Sequence, residues 1–407
     1  MHYIRLLRPP RFDATTHDIS LLITITTDLG DSFLRPDRPV DLALSADSAT
    51  TVGETLLRKP ELLHRARWAA GMRVLDIKIP LAPHLRRHDV TCTIQIHPSA
   101  QGPPMGYLKN EDALPWRVAG RRPVCDGLIM PASVKLVGGV CEPPVSVRTL
   151  KMNAGTEPQD RFRIRFEEDI GESIARHVWD AGVVTACYLA DACLAREGEE
   201  REIRSVLPVR GDSVSVLELG TGVGILGITV ARIVRQAAAA QGRVLKEATV
   251  LLTDLPEAEE RATANIARLS TVLEQQNRGP CTVDLRYENL DWDEGRHGRF
   301  GPLASACTWD LVILSDCTYN VDSLPALVGT LSALHTANLK HSGFGEDGKT
   351  SVLLATKPRH SSEQALFGLL EADNWQYRVV KSIPLPKIGE EDDIVEMYML
   401  EKGKETS

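Results

Sequence analysis

The sequence predicts an α/β protein: a seven-stranded, mostly parallel sheet with helices on both faces, preceded by a β-rich N-terminal domain. Two changes of texture carry that expectation. Up to about Asp169, short β-like runs are separated by Pro and Gly; from Ile170 onward, strand-like and helix-like runs alternate. A chain of 407 residues exceeds what one core usually serves, and 43% apolar residues suffice for two. The expected domains are 1–169, a β-rich module suited to target recognition, and 170–407, the α/β domain.

In the first domain the strand candidates are ISLLITITTDLGD, VDLALSAD, RVLDIKIPLAP, DVTCTIQIHPS, ASVKLVGGV, VSVRTLKM and FRIRFEED. Next, IGESIARHVWDAGVVTACYLADACLARE sets Ile174, Val178, Ala181 and Tyr188 at helical intervals, with a second row at Val183, Ala186, Leu189 and Cys193. It reads as one long amphipathic helix. The charged run REGEEREIR reads as a solvated connection. Seven strands follow: VSVLELG, TVLLTDL, TVDLRYE, WDLVILSD, SVLLATKP, QYRVVKSI and DIVEMYML. Between them lie the helical stretches ILGITVARIVRQAAAA, PEAEERATANIARLSTVLEQQ, LPALVGTLSALHTAN and SSEQALFGLLEADN. Such alternation argues for a parallel sheet covered on both faces, with ligands at the carboxyl ends of the strands.

Composition narrows the function classes. The opening MHYIRLLRPPRF has charge and prolines where a secretory signal needs a continuous apolar stretch. No apolar run approaches the roughly 18 residues of a membrane span. The expectation is a cytoplasmic protein, with the nucleus also open to it and no membrane partner. Eight cysteines are scattered without a CxxC pair or a His at ligand spacing, so they read as reduced thiols and no metal site is expected. A net charge of -8 gives no electrostatic reason to bind nucleic acid, the local run RVAGRR aside.

The chemistry-bearing motifs fall at strand ends. The first strand of the second half runs into Glu218-Leu219-Gly220-Thr221-Gly222-Val223-Gly224. These glycines allow a tight turn and a close backbone approach, and the next helix offers unpaired N–H groups. A dinucleotide fingerprint would need its third Gly at Ile225, so a nicotinamide enzyme fits less well than the E/DxGxGxG pattern that holds S-adenosyl-L-methionine. The second strand ends at Asp254, where a carboxylate can accept both ribose hydroxyls. It lies 34 residues after Gly220, more than the roughly 20 of the dinucleotide fold. Pro256 behind it also suits a helix N-cap region. The third strand leads to Asn289, Leu290, Asp291 and Trp292, a flat aromatic beside acceptor groups that suits an adenine ring. The fourth, LVILSD, runs four apolar residues into Asp316 and reaches Tyr319 three positions later. Asp322 or Ser323 fits as the cap of the helix after it, leaving Asp316 for chemistry.

The ordered series HVWDAGVV, LELGTGVGILG, TDLPEA, LDWDE and LSDCTYN resembles the eukaryotic methyltransferase family 16, seven-stranded Rossmann-like class I methyltransferases rich in protein-lysine methyltransferases. The resemblance spans about Ile170 to Lys402. It implies S-adenosyl-L-methionine as cofactor, Trp179 bordering its pocket, and Glu218, Gly220, Thr221 and Gly222 at the methionine end. It further implies Asp254 on the ribose, Leu290, Asp291 and Trp292 flanking the adenine, and Ser315 against the cofactor. Asp316 and Tyr319 become the DxxY element beside the accepting amine. The departures are the long spacer before Asp254, Ser315 where the family more often has Ala, and the N-terminal extension.

Methyl transfer from a sulfonium is an in-line displacement, so a neutral amine must be held against the methyl group. A carboxylate at Asp316 would orient the amine and favour the cationic product, and Tyr319 would wall the channel. Solvent can take the proton that must leave, so no dedicated base is assigned. The expected activity is N-methylation of a protein lysine, with translation factors and chaperones as partners by analogy. The alternatives are a small-molecule N-methyltransferase and a non-catalytic binding module on the same fold.

Overall fold

The computed structural model describes residues 1–50, 60–86, 90–99, 106–118, 128–141, 143–153, 161–171, 174–194, 212–240, 245–275, 281–341, 350–386 and 393–403. The chain divides into two compact units. The first comprises Met1–Lys151, Arg163–His177 and Pro386–Asp392, the second Met152–Phe162, Val178–Leu385 and Asp393–Ser407.

Two sheets build the first unit. One orders Arg11–Phe12, Asp18–Thr26, His2–Leu6 and Ile129–Met130, with Leu75–Pro80 also paired to Asp18–Thr26. The other orders Arg161–Asp169, Val145–Asn153, Ala132–Val137, Val90–Pro98, Val40–Thr50 and Glu61–Trp68, with Leu108–Lys109 beside Val145–Asn153. Side chains alternate across a strand. Leu42 and Leu44, Cys92, Ile94 and Ile96, and Ile19, Leu21, Ile23 and Ile25 therefore meet in one shared core. His2–Leu6 and Glu61–Trp68 are strands that the sequence reading did not include. Glu61–Trp68 lies at the end of its sheet with only Trp68 fully buried, so it lacks the apolar alternation that marks a strand.

The second unit holds the expected seven-stranded sheet. Its strands are β1 (Ser213–Leu219), β2 (Glu247–Asp254), β3 (Thr282–Asn289), β4 (Leu311–Ser315), β5 (Ser351–Thr356), β6 (Trp375–Pro384) and β7 (Ile394–Lys402). They lie in the order β3-β2-β1-β4-β5-β7-β6. β1 to β5 are parallel, and β7 is antiparallel between β5 and β6. The longer helices are α1 (Asp180–Leu194), α2 (Ile225–Ala240), α3 (Pro256–Gln275), α4 (Leu324–His341) and α5 (Ala365–Ala372). Leu217, Val312, Leu314, Val352 and Leu354 of the sheet bury against Leu324, Leu327 and Leu331 of α4 and Leu366 and Leu370 of α5. Strand order reverses direction between β1 and β4, the switch point where such sheets open a crevice. No described helix is long and apolar enough to cross a membrane.

The long amphipathic helix expected from Ile170 does not form. Helix α1 begins at Asp180, residues 174–179 precede it as turn and irregular chain, and Ile174 is exposed. Every residue from Asp180 to Cys193 is buried, so α1 is enclosed on all sides instead of showing one apolar face. Ile174 and Val178 continue the helical spacing upstream of Asp180, which is why periodicity overran the true start. The run REGEEREIR and the end of RVAGRR lie outside the described residues.

Candidate active site

β1 ends in a turn that only glycine accommodates easily. Gly220, Gly222 and Gly224 have φ of 64°, 55° and 85°, the left-handed region in which a Cβ is strained. A Cβ on Gly220 would lie 2.5 Å from Cys317 Sγ and 3.4 Å from the Trp292 ring. The glycine turn, the β4 end and the 290–292 segment thus meet at one point.

Asp254 ties this turn to β2. The Gly222 N–H donates to its Oδ2 and the Leu255 N–H to its Oδ1, both at 2.7 Å. The Thr221 N–H donates to the Thr253 carbonyl at 3.1 Å. The 34-residue interval is absorbed within α2 and the connection after it, since Leu219 sits opposite Thr253 in the ladder. Burial raises the Asp254 carboxyl above its ordinary value, against the two N–H bonds that lower it.

Glu218 points inward, beneath the turn. Its Oε2 accepts from the Thr221 hydroxyl at 2.5 Å and from the Gly227 N–H at 3.0 Å, so one carboxyl group staples the turn to the first residues of α2. Burial pushes it up to about 8. In this structure Glu218 and Thr221 shape the loop from behind.

Leu290 is buried and its N–H donates to the Asp254 carbonyl at 2.9 Å. Asp291 caps the short helix Trp292–Gly295 by accepting from the Asp293 N–H at 2.9 Å. Asn289 is turned to Glu259 and Tyr287, at 2.7 and 3.1 Å. Of this segment, Trp292 is the residue in contact range of the glycine turn. Ser315 Oγ lies 3.3 Å from where a Cβ on Gly182 would sit, and Ile225 Cγ2 lies 2.8 Å from it. Gly182 is what lets α1 approach the start of α2.

Asp316 leaves β4 with φ of 52°, a conformation that Asp adopts more readily than most residues. Its Oδ2 accepts from the Ala181 N–H at 2.7 Å, at the positive end of α1. Its Oδ1 accepts from the Arg359 guanidinium at 3.1 Å and from the Lys357 N–H at 3.4 Å. The guanidinium of Arg359 also lies over the Trp179 ring, 5.2 Å from its centre. Asp316 therefore does cap a helix, though a distant one: the helical turn after it is capped by Asn320, not by Asp322 or Ser323. Tyr319 is 56% exposed and stands at the open side; partial burial raises its hydroxyl above the ordinary value.

Beneath Asp316 lies a buried ion cluster. Lys357 Nζ contacts Asp180 Oδ2 at 3.0 Å and Asp393 Oδ2 at 2.8 Å, and Asp180 has no exposed side-chain surface. Sequence reasoning missed Lys357, Arg359, Cys317 and Gly182. KPRH follows β5 directly, so the strand-end rule that singled out Asp316 also applies to Lys357 and Arg359 one strand over. Gly182 gives no local signal.

A family model described as lysine methyltransferase matches residues 158–373. A UPF0665 family protein of Schizosaccharomyces pombe is 27% identical over 199 residues, 49% of this chain and 47% of that protein. Protein N-lysine methyltransferase METTL21A of Danio rerio is 26% identical over 204 residues, 50% of this chain and 70% of that protein. The chain thus spans about half the length of the first of these relatives. Among solved structures, TYW2 of P. horikoshii in complex with MeSAdo is 11% identical, covering 66% of this chain and 75% of that one, with a TM-score of 0.31.

Proposed function

Because the chain belongs to the lysine methyltransferase family, we propose that it is an enzyme that methylates the ε-amine of a lysine in a protein substrate. S-adenosyl-L-methionine is its cofactor, and the residues at the switch point suit that molecule. Asp254 is a largely desolvated carboxylate bonded to two backbone N–H groups. A carboxylate has about four acceptor sites, so two hydroxyl donors would complete it. The glycine turn brings backbone to the crevice without side chains, and Trp292 supplies a flat wall beside it.

When bound, the cofactor supplies a methyl group activated by the sulfonium. The remaining work falls to the protein: to hold a neutral amine in line with that methyl group and keep it there. In this reading Asp316 is the acceptor-side carboxylate. Its position is fixed by Ala181, Lys357 and Arg359, and it can orient an amine N–H and balance the charge formed as the new N–C bond replaces the S–C bond. Tyr319, half exposed at the same edge, would border the amine. The single observation that carries the reading is the contact geometry: the segment holding Asp316 and Tyr319 touches Gly220 through Cys317.

A macromolecular acceptor is favoured over a small one by the exposure of Tyr319, which leaves the acceptor side accessible. The name of the Danio rerio relative, a protein N-lysine methyltransferase, supports the same choice. The β-rich first unit would then select the target, with translation factors and chaperones the first classes to try. The test is transfer of label from methyl-labelled S-adenosyl-L-methionine into a lysate of cells lacking the protein, with Asp316→Ala alongside. A discrete labelled protein that appears only with the unmodified chain is expected, its label on lysine. Label recovered only in small molecules would overturn the reading.

A further inference from the structure

A cavity of about 690 Å³ opens beside the acceptor edge, and no step of the proposed transfer uses it. Its lining includes Thr318, Thr356, Phe367, Tyr377, Glu396 and Tyr398. Thr318 lies between Asp316 and Tyr319 in the chain, and Arg359, the partner of Asp316, stands at the same cavity. The cavity therefore adjoins the segment that would receive the lysine.

Its chemistry is that of a cation site. Three aromatic rings cluster there, with centres 4.8 Å apart for Phe367 and Tyr377, 5.0 Å for Phe367 and Tyr398, and 6.3 Å for Tyr377 and Tyr398. Glu396 keeps one oxygen on the Tyr398 hydroxyl at 2.7 Å. Glu363 forms part of the lining, with one oxygen held by the Thr318 hydroxyl at 2.7 Å and the other by the N–H groups of Arg359 and His360 at 2.9 and 3.1 Å. Of the basic side chains at the cavity, Arg359 is already committed to Asp316 and the face of Trp179, and His360 Nδ1 accepts from the Ser362 N–H at 3.2 Å. Aromatic faces combined with a carboxylate select a cation, and a planar guanidinium can both stack and pair bidentately. The volume exceeds one side chain and suits a basic residue with the backbone around it.

We infer that this cavity is a specificity subsite that holds an arginine side chain of the protein substrate, near the lysine to be methylated. The identity of the occupant rests on the protein-lysine reading; the cation site itself does not. With 3-fluorotyrosine replacing the seven tyrosines, the Tyr377 resonance of the full chain can be assigned through Tyr377→Phe. Titration with N-acetyl-arginine methylamide should shift the Tyr377 and Tyr398 resonances saturably. The isosteric, uncharged citrulline analogue should not, and Glu396→Gln should weaken the arginine probe about tenfold. No saturable shift, or an equal shift with citrulline, overturns the inference.

A second arm measures methyl transfer to lysine peptides with arginine or alanine at each flanking position. Preference for arginine at one position, lost in Glu396→Gln, supports the subsite. Peptides methylated without regard to their flanks, and no fluorine shift, remove the subsite and leave the protein-lysine reading intact. A fluorine shift without methylation of any lysine peptide leaves a cation site and removes that reading, and with it the assignment of the occupant.

Discussion

The two halves of the carboxyl edge in the second unit are built by different means. Around β1 and β2 the chain is held largely by backbone. The glycine turn has positive φ, its N–H groups are fixed by Asp254 and the Thr253 carbonyl, and the one buried carboxyl beneath it meets a hydroxyl and an N–H. Around β4 and β5 charged side chains do the holding. Asp316 meets Arg359, and Lys357 meets Asp180 and Asp393. A backbone-built site keeps its shape through conformation, whereas a charge-built site depends on every partner being present. Damage on the first side should therefore weaken cofactor binding, and damage on the second should cost folding or transfer.

The largest effect is expected where the charges are most enclosed. Lys357→Met leaves Asp180, wholly buried, facing Asp393 without the cation between them. Removing one member of a buried ion cluster typically costs about 3–5 kcal/mol, to be read as a fall in unfolding free energy by chemical denaturation. A loss below about 1 kcal/mol would show that this half is not held by charge.

Asp316→Asn comes next, because the amide keeps the shape and can still accept from the Ala181 N–H while losing its charge opposite Arg359. Transfer should fall on the order of a hundredfold, as for other groups aimed at developing charge. Cofactor affinity, measured by calorimetry, should change less than about twofold. A parallel fall in affinity would merge the two halves into one site.

Gly220→Ala tests the backbone-built half in a complementary way. An L-residue at its φ of 64° costs roughly 1–2 kcal/mol, and the new Cβ would meet Cys317 Sγ at 2.5 Å. Cofactor binding should weaken about tenfold or more. Adding Cys317→Ala removes the sulfur in contact and should recover part of that loss but not the share due to φ. Equal affinity in the single and double variants would mean that the sulfur contact does not shape the turn.

This contrast also explains what could be read in advance. A glycine turn after a strand and a carboxylate at the next strand end are local patterns, so Gly220, Gly222 and Asp254 stand out in the sequence, and the sheet is legible from alternation alone. Asp316 was legible as a residue at a strand end. Its partners were not, because Ala181 and Arg359 lie 135 and 43 residues away and Lys357 meets Asp180 across 177. Only packing brings them together. The start of α1 was misread for a different reason: Ile174 and Val178 keep the helical spacing although the chain before Asp180 is not helical.

Near pH 5 the smallest mutational change is expected at Glu218, with a pH signature that sharpens the comparison. Burial pushes this carboxyl from an ordinary 4.5 up to about 8, the Thr221 and Gly227 bonds notwithstanding. Between those values the folded chain keeps a proton that the unfolded chain has released. Its contribution is therefore fully present below about pH 4.5 and is lost as pH rises toward 8, at up to about 1.4 kcal/mol per pH unit. Asp254 is raised in the same direction, so the wild-type profile sums both. Glu218→Gln isolates one: an amide keeps an acceptor for Thr221 and Gly227 but cannot titrate. Denaturation at a series of pH values should show little change in stability near pH 5 and a shallower decline toward pH 8 in the variant. Identical slopes would mean that Glu218 is ionised in the folded chain. A buried negative charge would then sit beneath the turn, and the cofactor side would be charge-held as the acceptor side is.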